Sequence, residues 1–355
     1  MISPEPWDHI FVSKHHYAAT LAKRGNKVFF LNPPGKKYEM KQTEFCDVFA
    51  VDYKGFPRGL RFYPSILQKY IITWMYNRLT RLCSTEFDII WSFDNSVFYD
   101  FSALPSAGLK ISHIVDFNQN FQMQKAATSA DVCFCTTGLI KANLERHNSK
   151  VYKINHGFNP SMVKKGSVSG PSNEGIRVIY AGNLSIPYID WSLVLEVVHN
   201  FSEVQFLFLG SNNDVEVDDR SLRESKRKVM HSANVVFGGC VDANELQEYY
   251  QSADVLLVAY HEKYHSGQAD NPHKIMEYLG SGKVVLATHT SEYLGLSPLI
   301  VMSNKNSEWP DLFRAVIGNL EYYNSDQLQA RRVAFAMDNT YEKQICKIER
   351  IINGE

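Results

Sequence analysis

Asp270-Asn-Pro-His-Lys-Ile-Met-Glu-Tyr-Leu-Gly-Ser-Gly-Lys-Val-Val285 decides how this chain is read. Asn271 followed by Pro272 predicts a helix start, with Asn as the cap and Pro at the first helical position. Ile275, Met276 and Leu279 fall three and four apart and give that helix one apolar side. Gly280 and Gly282 predict its end, so the helix is expected over Pro272–Gly280, and Val284–Ala287 reads as a short buried strand. Lys274 and Glu277 share a face beside the positive helix N-terminus. A cation near exposed backbone N–H groups suits a phosphate, and a carboxylate one turn on suits a sugar diol. A plain surface ion pair is the simpler alternative for the same two residues.

Pro272, Lys274, Glu277, Tyr278, Leu279, Gly282 and Lys283 together resemble the donor-binding segment of GT-B glycosyltransferases, especially the retaining enzymes of glycosyltransferase family 4. The Glu-x7-Glu motif of that family ends in Pro-x-Lys-x-x-Glu-Tyr-Leu-x-x-Gly-Lys. Its first Glu is not matched here: Ala269 stands at that position, with Asp270 next to it. In the family that carboxylate contacts the transferred sugar. The resemblance implies an α/β chain of two Rossmann-like domains whose parallel sheets face across a cleft, with a C-terminal helix crossing back to the first domain. It also implies transfer of a sugar from a nucleotide-diphosphate sugar to an acceptor in polysaccharide or glycolipid assembly, with retention. Neither a metal nor a cofactor beyond that substrate is implied.

The residues outside this stretch agree with two α/β domains. The chain has 355 residues, room for two cores. Apolar strand runs alternate with helical patterns throughout, the mark of mostly parallel sheets. Lys164–Glu174, rich in Ser, Gly, Pro and Lys, reads as the linker. The expected domains are therefore 1–165, joined by the final helix within 340–355, and 166–339. Only Met1 and Ile2 precede the Pro4-Glu-Pro-Trp7 loop, so the first strand is either a stub or begins upstream of Met1.

The six cysteines are scattered without metal-ligand spacing, and Cys133 and Cys135 are expected as core thiols. With no apolar run long enough to span a bilayer and no signal segment ahead of the fold, the expected location is cytoplasmic. Net charge is −1 overall, but residues 1–165 carry +8 and residues 166–355 carry −9. A basic first half suggests an anionic partner, either a lipid-linked acceptor or the inner face of the cell membrane as a peripheral contact. Ile66, Leu67, Tyr70, Ile71, Trp74 and Met75 form an apolar helix face that is either core or interfacial. Nucleic acid is not expected, since no dense basic tract or recognition motif occurs.

Candidate site residues follow from strand ends. Gly182 and Asn183, after the Tyr180-Ala181 strand end, are expected at the donor phosphates. Gly210 lies at the next strand end, where the family begins to enclose the base, and Val241 is expected at the base edge. Gln268, Asp270, Asn271 and His273 complete the donor-side group with Lys274 and Glu277. His113 and Asp116 end a strand at the carboxyl edge, where open α/β sheets bind ligands, and are the catalytic candidates. Helix capping is the alternative for Asp116. His15 and His16 are read as helix-surface residues or as facing the cleft. Two other function classes remain open: a non-catalytic GT-B protein that binds a nucleotide or a partner, and a nucleotide-sugar epimerase of the same fold.

Overall fold

A computed structural model of the chain describes residues 1–104, 107–116, 122–162, 175–212, 220–264 and 270–355. The chain divides into two compact units, Met1–Asn155 with Tyr341–Glu355, and His156–Thr340. The linker expected at Lys164–Glu174 lies wholly outside the described residues, as do Gln268 and Ala269.

In the first unit the order is α1 (Ser13–Lys23), β1 (Val28–Leu31), β2 (Glu39–Gln42), β3 (Val48–Asp52), α2 (Ser65–Cys83), β4 (Ile89–Ser92), β5 (Leu109–Ile114), α3 (Met123–Ser129), β6 (Val132–Cys135), α4 (Gly138–Leu144) and β7 (Val151–Lys153). β4-β5-β6-β7 pair in parallel, and β1 pairs in parallel with β3. Ile2 bridges Leu31 on one side and Ser92 on the other, both in parallel, so a single residue joins the two sheets. β2 is antiparallel to β3 and closes the edge. The last helix, Tyr341–Asn353, lies on this unit: Ile345 and Ile348 pack with Trp91, and Arg24 of α1 pairs with Glu342 and Glu349.

The second unit runs β8 (Arg177–Ala181), α5 (Trp191–Asn200), β9 (Gln205–Leu209), α6 (Arg220–Met230), β10 (Val235–Gly239), α7 (Ala243–Ser252), β11 (Val255–Val258), α8 (Lys274–Ser281), β12 (Val284–Ala287), β13 (Ile300–Met302), α9 (Trp309–Ile317), α10 (Leu320–Tyr323) and α11 (Asp326–Asp338). Its six strands form one sheet in the order β10-β9-β8-β11-β12-β13, every pairing parallel. Val255-Leu-Leu-Val258 and Val284-Val-Leu-Ala287 are buried throughout, as central strands covered by helices on both faces must be. Asp190 caps α5 by accepting from Leu193 N at 3.1 Å. Arg332 of α11 is wholly buried, and its guanidinium donates to the carbonyls of Leu299 (2.8 Å), Gly282 (3.0 Å) and Pro298 (3.3 Å). It thereby ties α11 to the carboxyl end of α8.

Among the described residues, no helix is long and apolar enough to cross a membrane. Cys133 and Cys135 are buried, as expected of core thiols. His15 is also buried, stacked on Phe11 and Phe30 with Nε2 at 3.0 Å from the Pro6 carbonyl, so it is a core residue and not a helix-surface one.

Candidate functional site

The carboxyl edge of the second unit's sheet gathers most of the donor-side residues. α8 begins at Lys274, two residues later than Asn271-Pro272 suggested, with His273 as the preceding cap position. The cause is that Asn271 is engaged elsewhere. Its Oδ1 accepts from Tyr293 OH at 2.8 Å, and its carbonyl lies 3.1 Å from His156 Nε2. Gly280 does not end the helix either. It lies inside α8, where a Cβ would stand 2.3 Å from the Phe158 ring, and Gly282 is the left-handed cap.

Lys274 extends toward the end of β8. Its ammonium lies 3.7 Å from the centre of the Tyr180 ring and 5.6 Å from that of Tyr260. The Lys274 Nζ is buried and has no hydrogen-bond partner among the described residues. Burial lowers its pKa to about 7, and the nearby Glu277 acts weakly in the opposite sense. Tyr180 lies next to the end of β8 and Tyr260 two residues past the end of the neighbouring β11, so two rings wall one cation.

Two glycines let backbone come close to this point. Gly182 has φ +143°, and a Cβ there would stand 2.6 Å from Lys274 Nζ. Gly210 has φ +136°, and its Cβ would stand 1.9 Å from the Gly182 carbonyl oxygen. Only glycine satisfies both the positive φ and the contact. Their N–H groups are already engaged, Gly182 donating to Leu209 O (2.8 Å) and Gly210 to Gly239 O (2.7 Å). The loops therefore supply closeness, and Lys274 supplies the charge. Asn183 is exposed, its Oδ1 accepting from Ser185 N at 2.9 Å and Ser211 OH at 3.2 Å, which holds the two loops together.

Glu277 stands one turn along α8. Tyr250 OH donates to its Oε2 at 3.4 Å, and His273 Nδ1 lies 3.5 Å from its Oε1. Burial and the Glu277 charge hold the Tyr250 phenol well above its ordinary pKa, so it remains a donor. Tyr278 anchors the helix to β8, its hydroxyl accepting from Ala181 N at 2.8 Å. Val241 is half-buried just beyond β10, packed on the same core, and Asp270 is buried beside the start of α8. The structure thus brings together Gly182, Gly210, Lys274 and Glu277, with Asp270, Asn271 and His273 bracing the helix start. Gln268 lies outside the described residues.

Sequence reasoning missed the tyrosines. Tyr180 and Tyr260 each end a hydrophobic run, a signal that two rings share one sheet edge. Tyr250 sits on a helix whose partner the sequence does not name.

In the first unit the two catalytic candidates part company. Asp116 is exposed, two residues past the end of β5. His113 is only 2% exposed, stacked against Phe93 (4.8 Å between centres) and Trp91 (5.9 Å), and accepts from Trp91 Nε1 at 3.3 Å. Burial lowers its pKa to about 3, so the ring is a neutral core group. The expectation of a catalytic His113 is corrected accordingly. β5 is covered on both faces, and its next-to-last residue still lies within the layer.

Residues 175–317 match the family model described as "Glycosyl transferases group 1", a segment lying wholly in the second unit. Solved structures align along nearly the whole chain. Sucrose-phosphate synthase from Thermosynechococcus elongatus is 12% identical with a TM-score of 0.72, covering 99% of this chain and 97% of its own. A UDP-forming trehalose-phosphate synthase from Burkholderia xenovorans, in complex with glucose-6-phosphate, is 10% identical with a TM-score of 0.69, covering 99% and 98%. Anabaena HepE in complex with UDP and glucose is 11% identical with a TM-score of 0.67, covering 98% and 97%. No curated protein sequence matches the chain. The chain thus carries a glycosyl transferases group 1 domain over residues 175–317 and has the GT-B fold.

Proposed function

We propose that this protein is a glycosyltransferase that takes a sugar from a nucleotide-diphosphate donor and passes it to a saccharide or lipid-linked acceptor in polysaccharide or glycolipid assembly. The observation that carries the reading is the Lys274 ammonium, buried between two tyrosine rings beside Gly182 and without a hydrogen-bond partner among the described residues. A buried cation without a hydrogen-bond partner among the described residues is costly, and an anionic diphosphate is the group that would relieve it. As the bond from the sugar's anomeric carbon to the diphosphate breaks, negative charge grows on the leaving oxygen. Lys274 in its protonated form stabilises that charge. Glu277, oriented by Tyr250, accepts from the ribose hydroxyls, and Val241 meets the base. Gly182, Asn183 and Gly210 shape the phosphate contact, while Asp270, Asn271 and His273 hold the start of α8.

Asp116 is the acceptor-side carboxylate in this reading. Retention of configuration follows the family 4 resemblance, and metal independence follows from Lys274 supplying the charge. The protein would act in the cytoplasm, in peripheral contact with the inner face of the membrane when the acceptor is lipid-linked. Uridine diphosphate is the nucleotide to test first, because the HepE neighbour holds UDP and glucose.

Calorimetric titration of UDP and other nucleoside diphosphates into wild-type protein and the Lys274→Ala and Glu277→Ala variants tests the site. Each variant should lose about 1.5–3 kcal/mol of binding, the worth of a charge-assisted contact, with its circular dichroism unchanged. Wild-type affinity in both variants would remove the donor-site assignment.

A further inference from the structure

Residues 54–85 contain six Lys and Arg and not one Asp or Glu. This segment ends in α2, whose buried face is formed by Gln68, Ile72, Met75, Tyr76, Leu79 and Cys83. The opposite face is apolar and uncovered. Ile66, Tyr70 and Trp74 are 84%, 68% and 48% exposed, and Phe62, in the short turn ahead of the helix, is 77% exposed. Ile66, Tyr70 and Trp74 lie four apart and so form one ridge about 12 Å long. Arginines border it: Arg61 lies 4.6 Å from the Phe62 ring centre, and Arg78 lies 5.5 Å from that of Trp74 and 3.9 Å from that of Tyr38. Arg58 and Lys69 are exposed beside them.

The direction of α2 places this ridge within the first unit. Gln68, in the first turns, accepts from Tyr99 OH at 3.2 Å, on the segment after the carboxyl end of β4, and from Lys125 Nζ at 2.9 Å, on α3, which follows the carboxyl end of β5. Cys83, at the other end, lines a cavity with Val28 and Ile89, the amino ends of β1 and β4. The exposed turns therefore stand at the carboxyl edge of this sheet, the edge that also carries Asp116.

We propose that the Leu60–Phe62 turn and the first half of α2 form a docking face for an anionic lipid bilayer. Phe62, Ile66, Tyr70 and Trp74 enter the boundary between headgroups and acyl chains, and Arg58, Arg61, Lys69 and Arg78 meet lipid phosphates. Charge complementarity selects this occupant. A second copy of the same face would set six cations against six, whereas an anionic bilayer pairs with all of them while covering the ridge. The proposal deepens the lipid-linked acceptor reading, and rests on it only for why a membrane is met.

Trp74 makes the test direct, because the other four tryptophans (Trp7, Trp91, Trp191 and Trp309) are buried. The full chain is mixed with vesicles of phosphatidylcholine, alone or with phosphatidylglycerol, whose acyl chains are brominated. Fluorescence should be quenched on the phosphatidylglycerol vesicles, and Trp74→Phe should abolish the quenching while flotation persists. Phe62→Ser combined with Ile66→Ser should reduce flotation at least about ten-fold, since two apolar anchors are removed. Arg58→Ser and Lys69→Ser should each reduce it roughly five-fold at low salt. No quenching on either vesicle, or a dimer that Ile66→Ser dissociates, would overturn the docking face. Titration of the same variants with UDP should match wild type. Lost UDP binding in wild type with flotation intact would strike the donor site and leave the docking face standing.

Discussion

Replacing Lys274 by Met should make the protein more stable while depriving it of its donor. Burial takes the Lys274 ammonium from 10.5 to about 7. At about 1.4 kcal/mol per pH unit, the whole of that fall is worth about 5 kcal/mol at pH 7 and below. The Tyr180 ring and the partly exposed stem return part of it, so Lys274→Met should gain about 2–4 kcal/mol. The sign with pH is fixed. Between pH 7 and 10.5 the unfolded chain holds a proton that the folded site releases, so wild-type stability rises with pH across this window. Below pH 7 the penalty is complete. The advantage of Lys274→Met should therefore be largest near pH 6–7 and shrink by up to about 2 kcal/mol by pH 9. Denaturant unfolding of both proteins at several pH values measures the difference directly, with other titrating groups cancelling. A variant less stable than wild type, or an advantage that does not change with pH, would show that no ill-solvated cation stands at this point.

Two further outcomes follow from the same site. Diphosphate binding should raise the Lys274 pKa from about 7, so at pH 8 binding should take up protons and weaken as pH rises; binding enthalpies that do not vary with the buffer's ionisation enthalpy would contradict this. Transfer or donor hydrolysis, once a donor is identified by mass spectrometry, should survive EDTA, and loss on chelation with recovery by manganese or magnesium would overturn metal independence.

Much of the second unit was legible because its strands carry their environment in their composition. A covered parallel strand has no solvent face, and runs such as Val255–Val258 cannot be much else. β2 escaped notice for the converse reason. Glu39-Met-Lys-Gln42 is a polar edge strand that pairs with only one neighbour, so its composition resembles a loop. α6, with Arg, Lys and Glu filling most of its exposed positions and only Leu222, Lys226 and Val229 buried, likewise hides its apolar stripe in charge. At the site, Lys274 and Glu277 were readable as a pair because both lie on one helix. Their tyrosine neighbours come from other elements that only the sheet order brings together. The helix face from Ile66 to Met75 was left open between core and interface, and the structure divides it: Met75 is buried, while Ile66, Tyr70 and Trp74 are exposed.

Arg332 bears on how the protein can be dissected. The glycosyl transferases group 1 match stops at residue 317, yet the guanidinium that binds Gly282 O, Leu299 O and Pro298 O enters from α11, beyond that limit. A fragment cut at the edge of the match would leave the Gly282, Leu299 and Pro298 carbonyls without this donor and the carboxyl end of α8 without its anchor. The smallest portable version of this half of the protein therefore extends through α11, and sequence similarity alone draws its border two helices too early.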